Sequence, residues 1–67
     1  MKIQINDSGS WRHIAVFDKT VEVAMRKSAA RFLAIVNERA KLRILDDKGA
    51  VKATCRGPDF DWAEVPK

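Results

Sequence analysis

Residues 20–40 have the sequence TVEVAMRKSAARFLAIVNERA, and their spacing predicts an amphipathic helix. Apolar and small side chains recur there at three- and four-residue steps: Val21, Met25, Ser28, Ala29, Phe32, Leu33, Val36 and Ala40. We expect this stripe to cover one face of a sheet, with Phe32 at its centre, so that Phe32→Ala would unfold the domain. Asp18 or Thr20 can cap the helix start, where Glu22 complements the helix dipole.

The segment before the helix predicts a β-hairpin. Residues 2–6 alternate apolar and polar side chains, residues 6–10 supply turn chemistry, and residues 11–17 resume the alternation. Both faces of the second strand carry apolar groups, so the pattern leaves its inward face open. If Trp11 and Phe17 lie on the outer sheet surface, they mark an interface there; otherwise they belong to the core.

A second hairpin is predicted after the helix. Residues 41–45 and 50–56 alternate around Asp-Asp-Lys-Gly at 46–49, which favours a type I turn with glycine at positive φ. The residues expected on the inner face are Leu42, Ile44, Val51, Ala53 and Cys55. Those expected on the outer face are Lys41, Arg43, Lys52, Thr54 and Arg56. The sequence therefore predicts an α+β fold, ββαββ, with one helix packed on one face of a small antiparallel sheet.

Residues 57–67 form an acidic and aromatic C-terminal arm in an otherwise single domain spanning 1–67. Pro58 ends the preceding strand because proline cannot donate to a strand ladder. Phe60 and Trp62 then alternate with acidic residues. This pattern fits a short edge strand or an arm packed over the core, and also a detachable peptide that docks on a partner.

Composition places the chain among small folded proteins held together without disulfides. It has 67 residues, 46% of them apolar, and Cys55 is its single cysteine, so no internal bridge can form. No run of about 20 apolar residues could cross a bilayer, and the N-terminus has no signal-peptide core. We therefore predict a cytoplasmic protein without membrane association. Its small size makes a homodimer an open hypothesis.

Charge is segregated along the chain. Residues 1–56 carry twelve Lys or Arg against six Asp or Glu, whereas residues 57–67 carry one against three. A basic body of this kind suits contact with phosphate or with an acidic protein surface.

The residues needed for catalysis or metal binding are sparse. One histidine and one cysteine cannot form a four-ligand zinc site of those residues, and the glycines form no phosphate-binding loop. His13 and Cys55 are the one candidate pair of base and nucleophile, and catalysis would require them on adjacent strands with a third group to orient the imidazole. We therefore predict a non-enzymatic protein without a cofactor or metal.

The layout resembles that of small accessory proteins of phages and prophages, including anti-CRISPR inhibitors. It consists of a short hairpin, an alanine-rich basic helix, a second hairpin and Trp62 near the terminus. The resemblance rests on size and element order, and it transfers no functional residue. It implies a function exerted by binding.

The leading prediction is a binding module that contacts a protein or nucleoprotein partner, as a phage-type inhibitor would. Its predicted contacts are Arg26, Lys27 and Arg31 on the helix, with Trp11 and Arg12 on the first hairpin. The alternative is direct nucleic-acid binding, in which Lys and Arg neutralise phosphates. Its predicted contacts are Arg43, Lys52 and Arg56, together with the same helix cations.

Overall fold

The computed structural model describes residues 1–66, which form one five-stranded antiparallel sheet and a helix. The elements are β1 (Lys2–Asn6), β2 (Trp11–Val16), a 3₁₀ turn (Lys19–Val21), α1 (Glu22–Val36), β3 (Lys41–Leu45), β4 (Val51–Arg56) and β5 (Ala63–Glu64). The strand order is β2-β1-β3-β4-β5. The α+β class is confirmed, and the short strand β5 is added to the predicted ββαββ order. Lys67, the last residue of the predicted domain and of its arm, lies outside the described residues.

Asp18 defines where the helical segment begins. Its Oδ1 accepts the backbone N–H of Thr20 at 2.9 Å, which caps the 3₁₀ turn leading into α1. The same hydrogen bond lowers the pKa of the Asp18 carboxyl, because it favours the ionised form. Glu22 occupies the first turn of α1, as expected for a side chain that complements the dipole.

The helix ends at Val36, short of the predicted end at Ala40. Asn37 has extended backbone (φ −160°), and its Oδ1 accepts the N–H of Arg39 at 3.2 Å. Asparagine side chains compete for backbone groups in this way and favour helix termini. Ala40 still reaches the core, but it does so from the loop. Among the described residues, no helix combines the length and apolar content needed to cross a bilayer.

The face that α1 turns towards the sheet agrees with the predicted stripe only in part: Met25, Ala29 and Leu33 face the core as predicted. Leu33 is only 1% exposed, whereas Phe32 is 65% exposed and Val36 is 56% exposed. Successive helix residues are about 100° apart, so burying Leu33 turns its neighbour Phe32 outwards. The predicted central position of Phe32 is therefore wrong. The buried core cluster consists of Ile3, Phe17, Leu33, Ala40, Leu42, Ile44 and Cys55.

A β-bulge in the first hairpin settles which face of β2 is inward. Gln4 pairs with His13 but Ile3 pairs with Ala15, so Ile14 is an extra residue on β2. Side chains alternate between faces with period two, and one extra residue reverses that alternation. Trp11 consequently lies on the face away from α1, while the chain beyond the bulge turns Ala15 and then Phe17 towards the core.

A second bulge shifts the register between β3 and β4. Ile44 pairs with Ala53 and Leu45 with Val51, so Lys52 is the unpaired residue. The prediction that Val51 is inward and Lys52 outward is wrong, because the bulge reverses the alternation. The turn itself follows the prediction, with Gly49 at φ 85°.

The burial pattern predicts opposite outcomes for neighbouring helix substitutions. Leu33→Ala should lower the free energy of unfolding by about 3 kcal/mol, because it leaves a cavity in a closed core. Phe32→Ala should change it by less than about 1 kcal/mol, since the ring is mostly in solvent. Urea denaturation followed by circular dichroism measures both values. A larger loss for Phe32→Ala than for Leu33→Ala would contradict the placement of the helix.

Candidate functional site

The sheet face turned away from α1 gathers polar, basic and aromatic side chains in two cross-strand rows. One row contains Trp11, Asn6, Lys41 and Arg56, and the next contains His13, Gln4, Arg43 and Thr54. We call these residues the outer-face patch. Because strands β1 to β4 all contribute, the patch depends on the whole sheet and on no single hairpin.

Arg43 is the most firmly positioned cation of the outer-face patch. Its Cζ lies 4.2 Å from the centroid of the Trp11 ring, a cation–π contact. Its Nε donates a hydrogen bond of 2.8 Å to Oε1 of Gln4. These two contacts hold the guanidinium group over the indole ring.

Lys41 and Arg56 lie directly opposite each other on β3 and β4. Both are exposed, and neither forms an ion pair with another described residue. Like charges in facing positions destabilise a sheet slightly. Lys2, on the same face of β1, adds a further cation, and within residues 1–66 the outward positions of β1 to β4 hold no Asp or Glu. A bound anion would relieve this repulsion.

The C-terminal arm borders the outer-face patch with acidic side chains. Phe60 and Trp62 pack against the core cluster, and β5 pairs Ala63 with Thr54 of β4. Asp59 and Asp61 line a depression together with Trp11, Lys41 and Arg56 of the patch. The acidic tail seen in the sequence therefore lies beside the basic strands.

Two predicted contact residues, Arg26 and Lys52, are committed to bonds within the subunit. Arg26 donates through Nη2 to Glu22 and through Nη1 to Glu64, both at 2.6 Å, and Lys52 Nζ reaches Glu22 at 2.8 Å. We call these four residues the ion cluster. Arg26 was predicted on the free face of α1 and Lys52 on the outer strand surface; both placements are wrong. Glu22 and Arg26 turn inward because they bond to β4 and β5.

Trp62 holds the arm against the ion cluster. Its Nε1 donates to the carbonyl oxygen of Arg26 at 2.7 Å, and the Arg26 guanidinium lies 5.7 Å from the ring centroid. The cations lower the pKa of the Glu22 carboxyl, with the hydrogen bond from Lys52 as the largest cause and Arg26 contributing. The hydrogen bond from Arg26 likewise lowers the pKa of Glu64.

The other predicted contact residues remain on the surface. Lys27 and Arg31 are exposed on α1 and have no ion-pair partner among residues 1–66. The Arg12 side chain is 61% exposed and pairs with Asp7 in the adjoining turn. Lys41 was predicted on the outer face of the second hairpin but not among the contact residues, and Gln4 was not predicted in a site, although its period-two spacing from Lys2 and Asn6 indicates a shared face.

His13 and Cys55 are on opposite faces of the sheet. His13 belongs to the outer-face patch, whereas Cys55 pairs with Leu42 and is 1% exposed in the core. Burial raises the pKa of the Cys55 thiol, and the charges of Asp59 and Asp61 add to the shift. A thiol in this position stays protonated and does not meet the imidazole. Within residues 1–66, no three His, Cys, Asp or Glu side chains are grouped to hold a metal ion.

Comparison of the chain with protein-family models, with curated proteins and with solved structures finds no match.

The ion cluster predicts a stability difference that depends on pH. Glu22→Gln should lower the free energy of unfolding by about 1–3 kcal/mol at pH 7, because hydrogen bonds to charged groups are lost. The folded-state pKa of Glu22 lies below its ordinary value of 4.5, so its contribution is present above that value and is lost as pH falls through the folded pKa. Denaturation at pH 7 and pH 3 measures the difference.

Glu38→Gln is the matched control, because Glu38 is exposed and its carboxylate has no bond to another described residue. It should leave stability nearly unchanged at both pH values. A Glu22→Gln deficit that is undiminished at pH 3 would contradict an electrostatic origin.

Proposed function

We propose that this protein is a non-enzymatic binding module that holds single-stranded nucleic acid on the outer face of its sheet. One observation carries the proposal: Arg43 is stacked on Trp11 beside the facing cations Lys41 and Arg56. An aromatic platform next to unpaired cations combines the two kinds of contact that single strands make with proteins.

The cations supply affinity that does not depend on base sequence. Lys2, Lys41, Arg43 and Arg56 lie on one face of the three adjacent strands β1, β3 and β4. Neighbouring strands are about 4.8 Å apart, so these charges are spread over a surface about 10 Å wide. A phosphate backbone crossing this surface would release condensed counterions, and its binding would therefore weaken as salt rises.

Trp11 and Arg43 supply the surface on which a base can stack. Unpaired bases stack on aromatic rings and on arginine guanidinium planes, and the Arg43 guanidinium is held in place by its hydrogen bond to Gln4. Bases in a duplex are stacked on one another, and their faces are not accessible to such a platform. A broad sheet surface that projects no helix favours the single strand.

A second candidate function rests on the exterior of α1. Val23, Phe32 and Ile35 are 68%, 65% and 77% exposed, respectively, and Lys27 and Arg31 lie among them. Exposed apolar side chains grouped with cations are typical of protein interfaces. This surface supports contact with a protein or nucleoprotein partner, the mode of action expected of a phage-type inhibitor.

The outer-face proposal predicts a defined salt dependence. Labelled single-stranded oligonucleotides titrated at 50 and 200 mM salt should give a slope of log K against log salt of about −3, for four neutralised phosphates at about −0.7 each. Lys41→Ala and Arg56→Ala should each reduce the slope by about 0.7. Fluorescence anisotropy measures these constants. Absence of binding at 50 mM salt would exclude the proposal.

Two control variants locate the binding surface. Lys48→Ala removes an exposed cation from the turn at the opposite end of β3 and should leave the slope unchanged. Lys27→Ala removes a cation from the helix exterior and should also have no effect. A loss of oligonucleotide binding in Lys27→Ala comparable to that in Lys41→Ala would move the nucleic-acid site to α1.

The second candidate function predicts a complementary result for the helix exterior. Replacing Phe32 and Ile35 together with Ser should keep the fold, because both side chains are mostly in solvent. The double variant should lose any protein that the unaltered chain retains from a cell lysate, while its affinity for oligonucleotides stays the same. Affinity capture followed by mass spectrometry measures retention. A protein retained equally by both chains would not be bound through this surface.

A further inference from the structure

A depression of about 350 Å³ lies between the outer-face patch and the C-terminal arm. Trp11 lines it, Lys41 and Arg56 contribute cations, and Asp59 and Asp61 contribute carboxylates. Binding sites for small organic groups in proteins start at about 300 Å³, so the space suits one flat ring system better than a larger ligand. The depression therefore has cations, carboxylates and an aromatic side chain in its lining.

The carboxylates of this depression are held in place by the arm. Phe60 packs against the core, its backbone N–H donates to the carbonyl of Arg56 at 3.1 Å, and Trp62 bonds to α1. The side chains of Asp59 and Asp61, on either side of Phe60, form no hydrogen bond or ion pair with another residue in the described range 1–66. Their oxygens are free to accept hydrogen bonds from a ligand.

We propose that this depression binds one base of the single strand and selects guanine. The inference deepens the proposed function and rests on it. Carboxylates only accept hydrogen bonds, so they favour a base whose edge presents adjacent donors. Guanine presents N1–H and the N2 amine side by side, which a carboxylate of Asp59 or Asp61 can engage with both oxygens. Its O6, the acceptor beside N1–H, is then directed towards Lys41 or Arg56.

The other bases fit this charge pattern less well. Thymine and uracil present one N–H between two carbonyl oxygens, which a carboxylate repels. Cytosine and adenine each present an amine beside a ring nitrogen that is itself an acceptor, so they offer one donor where guanine offers two. A good bidentate contact discriminates between bases by about ten-fold or more in affinity.

The test compares short labelled thymine oligonucleotides that carry one guanine, adenine, cytosine or thymine at the central position. At 50 mM salt, the unaltered protein should bind the guanine-containing strand about ten-fold more tightly than the all-thymine strand. Replacing that guanine with inosine, which lacks the N2 amine, should weaken binding several-fold. Fluorescence anisotropy gives all the dissociation constants, and equal affinity for the four strands would overturn the inference while leaving the proposed function intact.

The double variant Asp59→Asn, Asp61→Asn locates the selectivity. It should lose the guanine preference and bind the all-thymine strand at least as tightly as before, because two negative charges beside the phosphates are gone. The matched control Glu38→Gln, Asp47→Asn removes two exposed charges elsewhere and should keep the preference. A guanine preference that survives in the Asn variant would overturn the site, and failure to bind any strand would overturn the proposed function with it.

Discussion

The β-bulge in each hairpin is the constraint on which the rest of the structure depends. A strand directs successive side chains to opposite faces, and one extra residue reverses this assignment for everything beyond it. In β2 the reversal at Ile14 allows Trp11 to lie on the outer face while Phe17 enters the core. In β4 it directs Lys52 to Glu22 on the helix side of the sheet. With uninterrupted alternation, Trp11 and Phe17 would share one face. Either the outer-face patch would then lack the Trp11 ring, or the core would lack the Phe17 ring.

The ion cluster joins three parts of the chain that are distant in sequence. Glu22 and Arg26 belong to α1, Lys52 to β4 and Glu64 to β5, and every one of them bonds to another member. Its two cations and two acids cancel, so the net charge of +4 is carried by the rest of the surface. Partly buried ion pairs fix the relative position of elements more clearly than they add stability. The cluster therefore fixes the position of α1 relative to the arm. The excess positive charge lies elsewhere, including on the outer-face patch and the helix exterior.

A domain of this size cannot bury all of its apolar side chains, and the structure shows which ones remain outside. Leu33 closes the core, while Phe32 and Ile35 stay on the exterior of α1. The outer-face patch is on the other side of the sheet, so the molecule presents two surfaces of different character. On the sheet, an arginine is held over an indole ring; on the helix, exposed cations flank exposed apolar groups. The first is the surface that we propose for single-stranded nucleic acid, and the second is the one that we propose for a protein partner.

The sequence by itself determined the elements and the fold class. The helix, both hairpins and the turn ending in Gly49 depend on local spacing and on backbone preferences that neighbouring residues settle. The acidic alternation of the arm was visible in the same way, although its pairing with β4 was one of several open arrangements. These features required no knowledge of contacts across the chain.

Only the tertiary structure decided which faces are buried and which charges are free. The stripe on α1 is wide enough to bury either Phe32 or Leu33, and the choice followed from bonds that Glu22 and Arg26 make with strands far along the chain. The bulges likewise depend on pairing between strands, so a single strand's period carries no sign of them. Which face of a helix or strand is buried depends on contacts between residues distant in sequence, whereas sequence spacing reports only local relations.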